Sequence, residues 1–378
     1  MSSKSTRNLG TLALACALAL SVRAQTAASL KGFMFVGTLD KKLLVINESD
    51  GNVAGEIQLD GIPRTTVLSA DKTKLHIITT EMQLDTVDLA ARKVVSSFAL
   101  SDGKSLPRMI RGAGGRNFSG IAVDPGGRYL YTTLKVSVKE IDQYRNDPPV
   151  FVKIDLQDKK IVQTMAFPKA YDQGFGFAAS YKISPDGKLL YVFDDDIAIL
   201  DLSDLHQVDR IELSIPEYPG ESPYRLAASD DPNEPSGVIT NVFTSVDQVV
   251  HKETLGIATL NLTTKKVDYT PVGPALPMVG FVLSPDHKLG YSIMAYGVEP
   301  NRTVEWWTWD IAARTVIKKE PILGRHTMRI GLTSDGTKLM VYGAGSSIEY
   351  YDPKTLKSTK LLYLNKDTTT NVITLAGL

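Results

Sequence analysis

Cysteine is almost missing from this chain. Cys16 is the one cysteine in 378 residues. It lies inside the apolar run LALACALAL at 12–20, which follows a basic start at Lys4 and Arg7. A basic start and a short apolar core that ends near a small-x-small site, here Val22-Arg23-Ala24, form a secretory signal. Residues 1–24 are therefore expected to be a signal peptide, with Gln25 as the mature N-terminus; the alternative is an uncleaved anchor. A lipoprotein signal would place Leu three residues before the cysteine, where Ala13 stands, and the apolar run continues past Cys16. With Cys16 removed, the mature chain has no disulfide, no thiolate nucleophile, no cysteine-based metal or cluster site and no CxxCH haem attachment.

Other absences narrow the function further. There is no charge surplus: Lys plus Arg and Asp plus Glu are 42 each. A nucleic-acid partner would call for a basic excess on some face. No segment sustains a helical 3.6 period, and no apolar run is long enough to span a membrane as a helix. The nucleophile elbow GxSxG, the zinc motif HExxH, the phosphate loop and the dinucleotide fingerprint are all missing.

What is present is a repeat. The segment KISPDGKLLYVF at 182–193 reads as strand, tight turn, strand. Near-copies stand at 67–78, 122–133, 282–293 and 331–342. A longer, acidic version occupies 225–243. Each copy leads to a second element, an alternating strand that ends in Asp or Asn. Those strand ends are Asn47, Asp88, Asp155, Asp201, Asn261, Asp310 and Asp352, with a mean spacing of about 51 residues, close to the period of propeller blades. Val, Ile, Tyr and Phe fill the strands, and Gly, Pro, Asn and Asp separate them. The first repeat lacks its innermost strand, and 370–378 (TNVITLAGL) can supply it. The expected fold is all-β: one domain over 25–378, a seven-bladed β-propeller of four-stranded blades, with the ring closed by the C-terminal strand in the first blade.

That arrangement sorts the loops onto two faces. Turns between first and second strands, and between third and fourth, share one face. Apart from the acidic turn of the fifth repeat, they are short. Long insertions at 101–120, 134–149, 168–179, 214–224, 244–255 and 295–303 belong to the other face. Long loops are disproportionately functional, although unselected drift in length is the simpler alternative. Arg and aromatic residues favour interfaces, and these insertions are rich in both. Loop 101–120 holds Arg108, Arg111, Arg116, Asn117 and Phe118. Loop 168–179 holds Tyr171, Phe175 and Phe177, and loop 214–224 holds Tyr218 and Tyr224. His326 and Arg329 lie near the channel on the same face. All twelve are candidate binding residues, against the plainer reading that the aromatics pack on one another. Trp306, Trp307 and Trp309 alternate along one strand and are expected to pack between blades. No catalytic set and no metal set emerges. Asp194, Asp195 and Asp196 are consecutive, so they cannot all face one point, and a solvated turn is expected there.

The repeat SPDGKLLYVF with its strand-Asp partner resembles the YVTN-type propeller repeat of secreted and periplasmic bacterial proteins. The stretches GGRYLYTTLKVS, FVKIDLQDKKIV and MRIGLTSDGTKLMVYGAGSSIEYYDPKTLKS are similar to the beta subunit of quinohemoprotein amine dehydrogenase. That resemblance implies a periplasmic, non-catalytic propeller subunit. Its partners would be one subunit bearing c-type haem and a small one bearing a tryptophan-derived quinone, which together deaminate primary amines oxidatively. No cofactor is implied on this chain itself, and the missing cysteines suit the beta role. The alternative is a free-standing secreted propeller that binds a small ligand, peptide or protein at its long-loop face.

Overall fold

Alternating apolar residues and short turns produce thirty strands and one 3-10 turn, Lys169–Tyr171, among the described residues. The computed structural model describes residues 32–100, 108–112, 120–139, 142–171, 174–175, 179–194, 196–213, 224–226, 231–247, 252–297, 303–324 and 328–377, with backbone alone at 108–112, 135–139, 144, 146, 224–225 and 246–247. The segment read as a signal peptide lies outside them.

The strands form seven antiparallel sheets, the blades of a propeller. Blade 4 shows the plan from channel to rim: Ser180–Ile183, Leu189–Phe193, Ile197–Asp201 and Gln207–Ile211. Blades 2, 5, 6 and 7 repeat it at 63–99, 224–274, 278–322 and 329–363. In blade 1 the strands Phe33–Thr38, Lys42–Asn47 and Val53–Gln58 are joined at the channel side by Ile373–Leu375 from the other end of the chain.

Local chemistry accounts for the repeated turns. After the innermost strand of blade 4, Ser184 Oγ donates to Asp186 Oδ1 at 2.5 Å and accepts from Leu189 N at 2.9 Å. Ser69 with Asp71, Ser284 with Asp286 and Thr333 with Asp335 repeat this clasp. After the third strand, the terminal carboxylate or amide holds the next turn. Asp155 Oδ1 accepts from Gln157 N and Asp158 N, both at 2.9 Å, and Asn261 Oδ1 accepts from Thr263 N and Thr264 N at the same distance. Four residues past every one of the seven strand ends the backbone turns left-handed, with φ between 52° and 77°. The residues there are Gly51, Arg92, Lys159, Leu205, Lys265, Arg314 and Leu356.

Packing between blades explains the burial pattern. The strand Phe33–Thr38 is buried throughout, because a neighbouring blade covers each of its faces. Phe33 and Phe35 face Leu75 and Ile77 of blade 2, while Met34 and Val36 face Met340 and Tyr342 of blade 7. The outermost strand Gln207–Ile211 is mostly exposed. Blade 6 shows the expected tryptophan alternation. Trp306 packs edge-on to Tyr351 of blade 7 with centroids 5.8 Å apart, and Trp307 and Trp309 turn to the opposite face. Asp196 is buried and accepts from Arg210 Nε at 3.0 Å, so this member of the acidic run serves an ion pair within blade 4 rather than a solvated turn.

Several segments expected as loops are strands. Tyr129–Lys139 continues past the ring, pairing with Arg108–Gly112 on one side and Tyr144–Asn146 on the other, so blade 3 is a six-stranded sheet. The alternation of LKVSVK carries the ladder outward. In blade 5, Val238–Asp247 pairs with Lys252–Asn261 over ten residue pairs, and the corresponding hairpin of blade 6 has eight, against five in blade 4. The described parts of insertions 244–255 and 295–303 therefore extend the hairpin strands, to Asp247 and from Lys252 in blade 5, and to Tyr296 and from Thr303 in blade 6.

Where the ring closes, Glu48 of blade 1 is buried beside blade 7. Its carboxyl accepts from Ser334 N at 2.9 Å and bonds Ser334 Oγ at 2.6 Å, while Lys338 Nζ donates to the Glu48 carbonyl at 2.7 Å. Burial pushes its pKa up from 4.5 to about 7, against the opposing pull of the Ser334 hydrogen bonds. Between those values the native state keeps a proton that the unfolded chain has released. This contribution is complete below pH 4.5 and is lost as pH rises toward 7, at most ~3 kcal/mol in all. Glu48→Gln, which keeps the shape and hydrogen-bonding capacity, is expected to cut the fall in Tm between pH 4.5 and 7.5 by a few °C. An unchanged slope by differential scanning fluorimetry would count against a protonated Glu48.

Candidate functional site

The described structure has a cavity of about 650 Å³ in the channel. It lies toward the face of the short turns, opposite the long-loop face on which the sequence places its binding candidates. Innermost strands of blades 2, 3 and 4 wall it, together with the segment 371–373, and the first turn of blade 5 roofs it.

That roof, 231–237, is held from three other blades. Lys72 Nζ of blade 2 donates to the Pro232 carbonyl at 2.8 Å, across the channel and 160 residues away. From blade 6, His287 Nε2 donates to the Asn233 carbonyl at 2.6 Å, and Leu283 N donates to Asp231 Oδ2 at the same distance. Asn233 Nδ2 returns a bond to the Leu283 carbonyl at 2.9 Å. On the blade 4 side, Lys182 Nζ lies 3.8 Å from Glu234 Oε2. Gly237 has φ +76°, and a Cβ there would come within 2.7 Å of Pro185, so glycine is required where the roof meets the blade 4 turn. Burial raises the Asp231 pKa, and the Leu283 and Asn233 amides oppose the rise.

Lys72 and His287 occupy a telling position. The equivalent turn residues in blades 3, 4 and 7 are Gly127, Gly187 and Gly336, all with positive φ. Lys72 and His287 adopt the same conformation at φ 59° and 58°, at a steric cost of ~1 kcal/mol each. Both use their side chains to grip the roof. The departure from glycine at these two positions is the sequence signal that could have located the site. The length of the blade 5 turn is a second signal.

On the opposite face, Tyr171 and Phe175 come together. The Phe175 ring lies 4.8 Å from Phe167, 5.2 Å from Tyr171 and 5.5 Å from Tyr181, all edge-on. Tyr171 Oη donates to Gln207 Oε1 at 3.2 Å, and burial raises its pKa. Both rings are partly buried against the blade 3–blade 4 core. Arg108 and Arg111 lie on the added strand of blade 3, opposite Val138 and Lys135. Tyr224 begins the innermost strand of blade 5 opposite Ser245, and Arg329 begins that of blade 7 opposite Tyr342, where it is partly buried. Arg116, Asn117, Phe118, Phe177, Tyr218 and His326 lie outside the described residues.

The long-loop face also carries exposed apolar side chains that the sequence reading did not single out. Leu323 follows the outer strand of blade 6 and is 89% exposed; Tyr363 ends that of blade 7 and is 67% exposed. Leu39, in the second-to-third turn of blade 1, is 53% exposed. These are consecutive blades on one rim.

The roof contacts have a direct consequence. In the double variant Lys72→Gly/His287→Gly, glycine suits both turns, so amide exchange at 284–289 is expected to stay slow. Loss of two roof hydrogen bonds, ~1 kcal/mol each, should speed exchange of the 231–237 amides about tenfold or more. Equal protection of 231–237 in wild type and variant would show that these side chains do not hold the roof.

No family model and no curated protein sequence matches the chain. Solved structures do. Dihydro-heme d1 dehydrogenase NirN in complex with DHE is 14% identical with a TM-score of 0.53, over 91% of this chain and 75% of that one. A functionally unknown protein from Desulfotomaculum acetoxidans is 11% identical with a TM-score of 0.54, over 91% and 99%. Apo AztD from Citrobacter koseri is 13% identical with a TM-score of 0.51, over 92% and 99%. At these identities the likeness establishes the architecture: the chain is a seven-bladed β-propeller of four-stranded antiparallel blades, with two strands added to blade 3.

Proposed function

We propose that this chain is the non-catalytic propeller subunit of a periplasmic complex similar to quinohemoprotein amine dehydrogenase. It would carry haem-bearing and quinone-bearing subunits on its long-loop face. The observation that carries this reading is the run of exposed apolar side chains, Leu323, Tyr363 and Leu39, on adjacent blades of that rim. Isolated exposed apolar residues are ordinary, but grouping at one rim favours a partner surface. The lengthened hairpins of blades 3, 5 and 6 rise on the same face and would flank a docked subunit. The YVTN-type repeat and the resemblance to the amine dehydrogenase beta chain supply the partner class. The propeller of NirN, whose name is that of a dihydro-heme dehydrogenase, is a precedent for this architecture in haem redox proteins.

In this reading the division of labour follows from side-chain chemistry. Beyond Cys16 the chain has no thiol, so haem thioethers and quinone crosslinks belong to the partners, and the quinone oxidises the amine. The propeller contributes a rigid docking face. Residues 1–24 would direct it to the periplasm or outside the cell.

Purification of the tagged chain from its native host tests this. The expected product is a complex with haem absorbance, and Leu323→Asp/Tyr363→Asp should weaken its assembly at least tenfold while the Tm of the isolated propeller stays within a few °C. A monomer without haem absorbance would overturn the proposal.

A further inference from the structure

The innermost strand of each blade pairs on one edge only, and its other edge faces the channel. In an antiparallel ladder, residues whose backbone groups turn to the partner strand alternate with residues whose groups turn away. The turn bonds fix which is which. Ser69 N, Asp124 N and Ser184 N donate across their turns to the carbonyls of Lys74, Tyr129 and Leu189, each at 2.9 Å, and Ser284 N donates to that of Leu289 at 2.8 Å. The residues just before them, Leu68, Val123, Ile183 and Leu283, therefore turn both N–H and C=O to the channel. Leu68, Val123 and Ile183 all line the cavity of about 650 Å³. That volume falls within the roughly 300–1,000 Å³ typical of small-molecule pockets.

The roof shows what such an edge takes. At Leu283 it supplies both partners: Asp231 Oδ2 accepts from Leu283 N at 2.6 Å, and Asn233 Nδ2 donates to the Leu283 carbonyl at 2.9 Å. One acceptor and one donor, side by side, stand in for a neighbouring strand. At Leu68, Val123 and Ile183 no group among the described residues does this. Backbone groups enclosed beneath a roof require partners. The charged side chains around them are already committed. Lys72 and His287 hold roof carbonyls, Asp231 and Glu234 accept from backbone amides, and Lys182 is paired with Glu234. Recognition in the cavity thus falls to neutral backbone groups, which call for a ligand carrying N–H and C=O together.

We infer that the cavity binds a short peptide in extended form, whose amides pair with Leu68, Val123 and Ile183 as Asp231 and Asn233 pair with Leu283. Strand addition of this kind draws its affinity from main-chain hydrogen bonds. An extended peptide carries N–H and C=O groups on both edges, so one peptide bridges two blades. The turn 231–237 is the roof of this site, and the grips of Lys72 and His287 hold it shut over the ligand. Loosening those grips opens the way in. This site lies on the face opposite the partner rim, and its existence does not depend on the proposed complex.

Isothermal titration of the full mature chain with N-acetyl-trialanine amide, and with its analogue N-methylated at every peptide bond, tests the inference. Both probes are neutral, and they differ in N–H donors. The unmethylated peptide is expected to bind about tenfold more tightly or better, and to slow amide exchange at Leu68, Val123 and Ile183. Ile183→Pro removes an N–H that the ladder does not use and should lose about fivefold or more in affinity. Ile183→Ala shortens the side chain but keeps the N–H, and its affinity should stay within about twofold of wild type. Should Ile183→Pro fail to fold, the two peptides on the wild type decide. Equal binding of both would overturn the inference, as would binding that leaves exchange at the three amides unchanged. So would the absence of binding of the unmethylated peptide to both the wild type and the Lys72→Gly/His287→Gly variant. Haem co-purification reads the other face, so the two proposals fail separately.

Discussion

The structure depends on one closure. Ile373–Leu375 pairs with Phe33–Phe35, joining the two ends of the propeller in a single blade. Bringing together ends some 340 residues apart costs roughly 5 kcal/mol in chain entropy. The return is spread over both interfaces of blade 1. Ile373 and Leu375 join the core shared with blade 2, and Val372 joins the core shared with blade 7. Gly37 N also donates to Thr370 Oγ1 at 2.8 Å, and Thr369 N to the Gly37 carbonyl at the same distance. Without this strand, Phe33–Thr38 would present a bare edge to the channel, and blades 1 and 7 would each lose a neighbour.

Closure also separates scaffold from function. A ring whose blades are covered on both sides has little freedom inside the sheets, so variation moves to the strand connections. The clasps Ser184–Asp186, Ser284–Asp286 and Thr333–Asp335 are nearly identical because they perform one geometric task. In blade 5 the corresponding turn is longer, and Lys72 of blade 2 reaches it across the channel. Blades 3, 5 and 6 lengthen their hairpins on the opposite face. The two ends of the channel thus present different chemistry: a charged, roofed cavity at one and an apolar rim with tall hairpins at the other.

Much of the fold is legible in the chain because its determinants are local. The seven strand-ending Asp and Asn residues act on amides two or three positions away, and strand alternation sorts Trp306 from Trp307 and Trp309. The missing first strand of blade 1 is legible by counting. The lengthened hairpins are less legible, since the polar alternation in KVSVK resembles a loop once it leaves the core. Tyr171 and Phe175 stand out by type, but the packing of Phe175 on Phe151 of blade 3 and Tyr181 of blade 4 depends on two blades meeting.

By itself, then, the sequence determined the blade count, the turn chemistry and the element that closes the ring, all of which follow from period-2 patterning and short-range hydrogen bonds. Only the tertiary structure decided that Lys72, Lys182 and His287 converge on one turn of blade 5. Those contacts link residues 160, 52 and 54 positions apart. No local pattern records the contacts themselves, because each depends on where the ring places a blade; their local traces are the non-glycine residues at the left-handed positions of Lys72 and His287 and the length of the blade 5 turn.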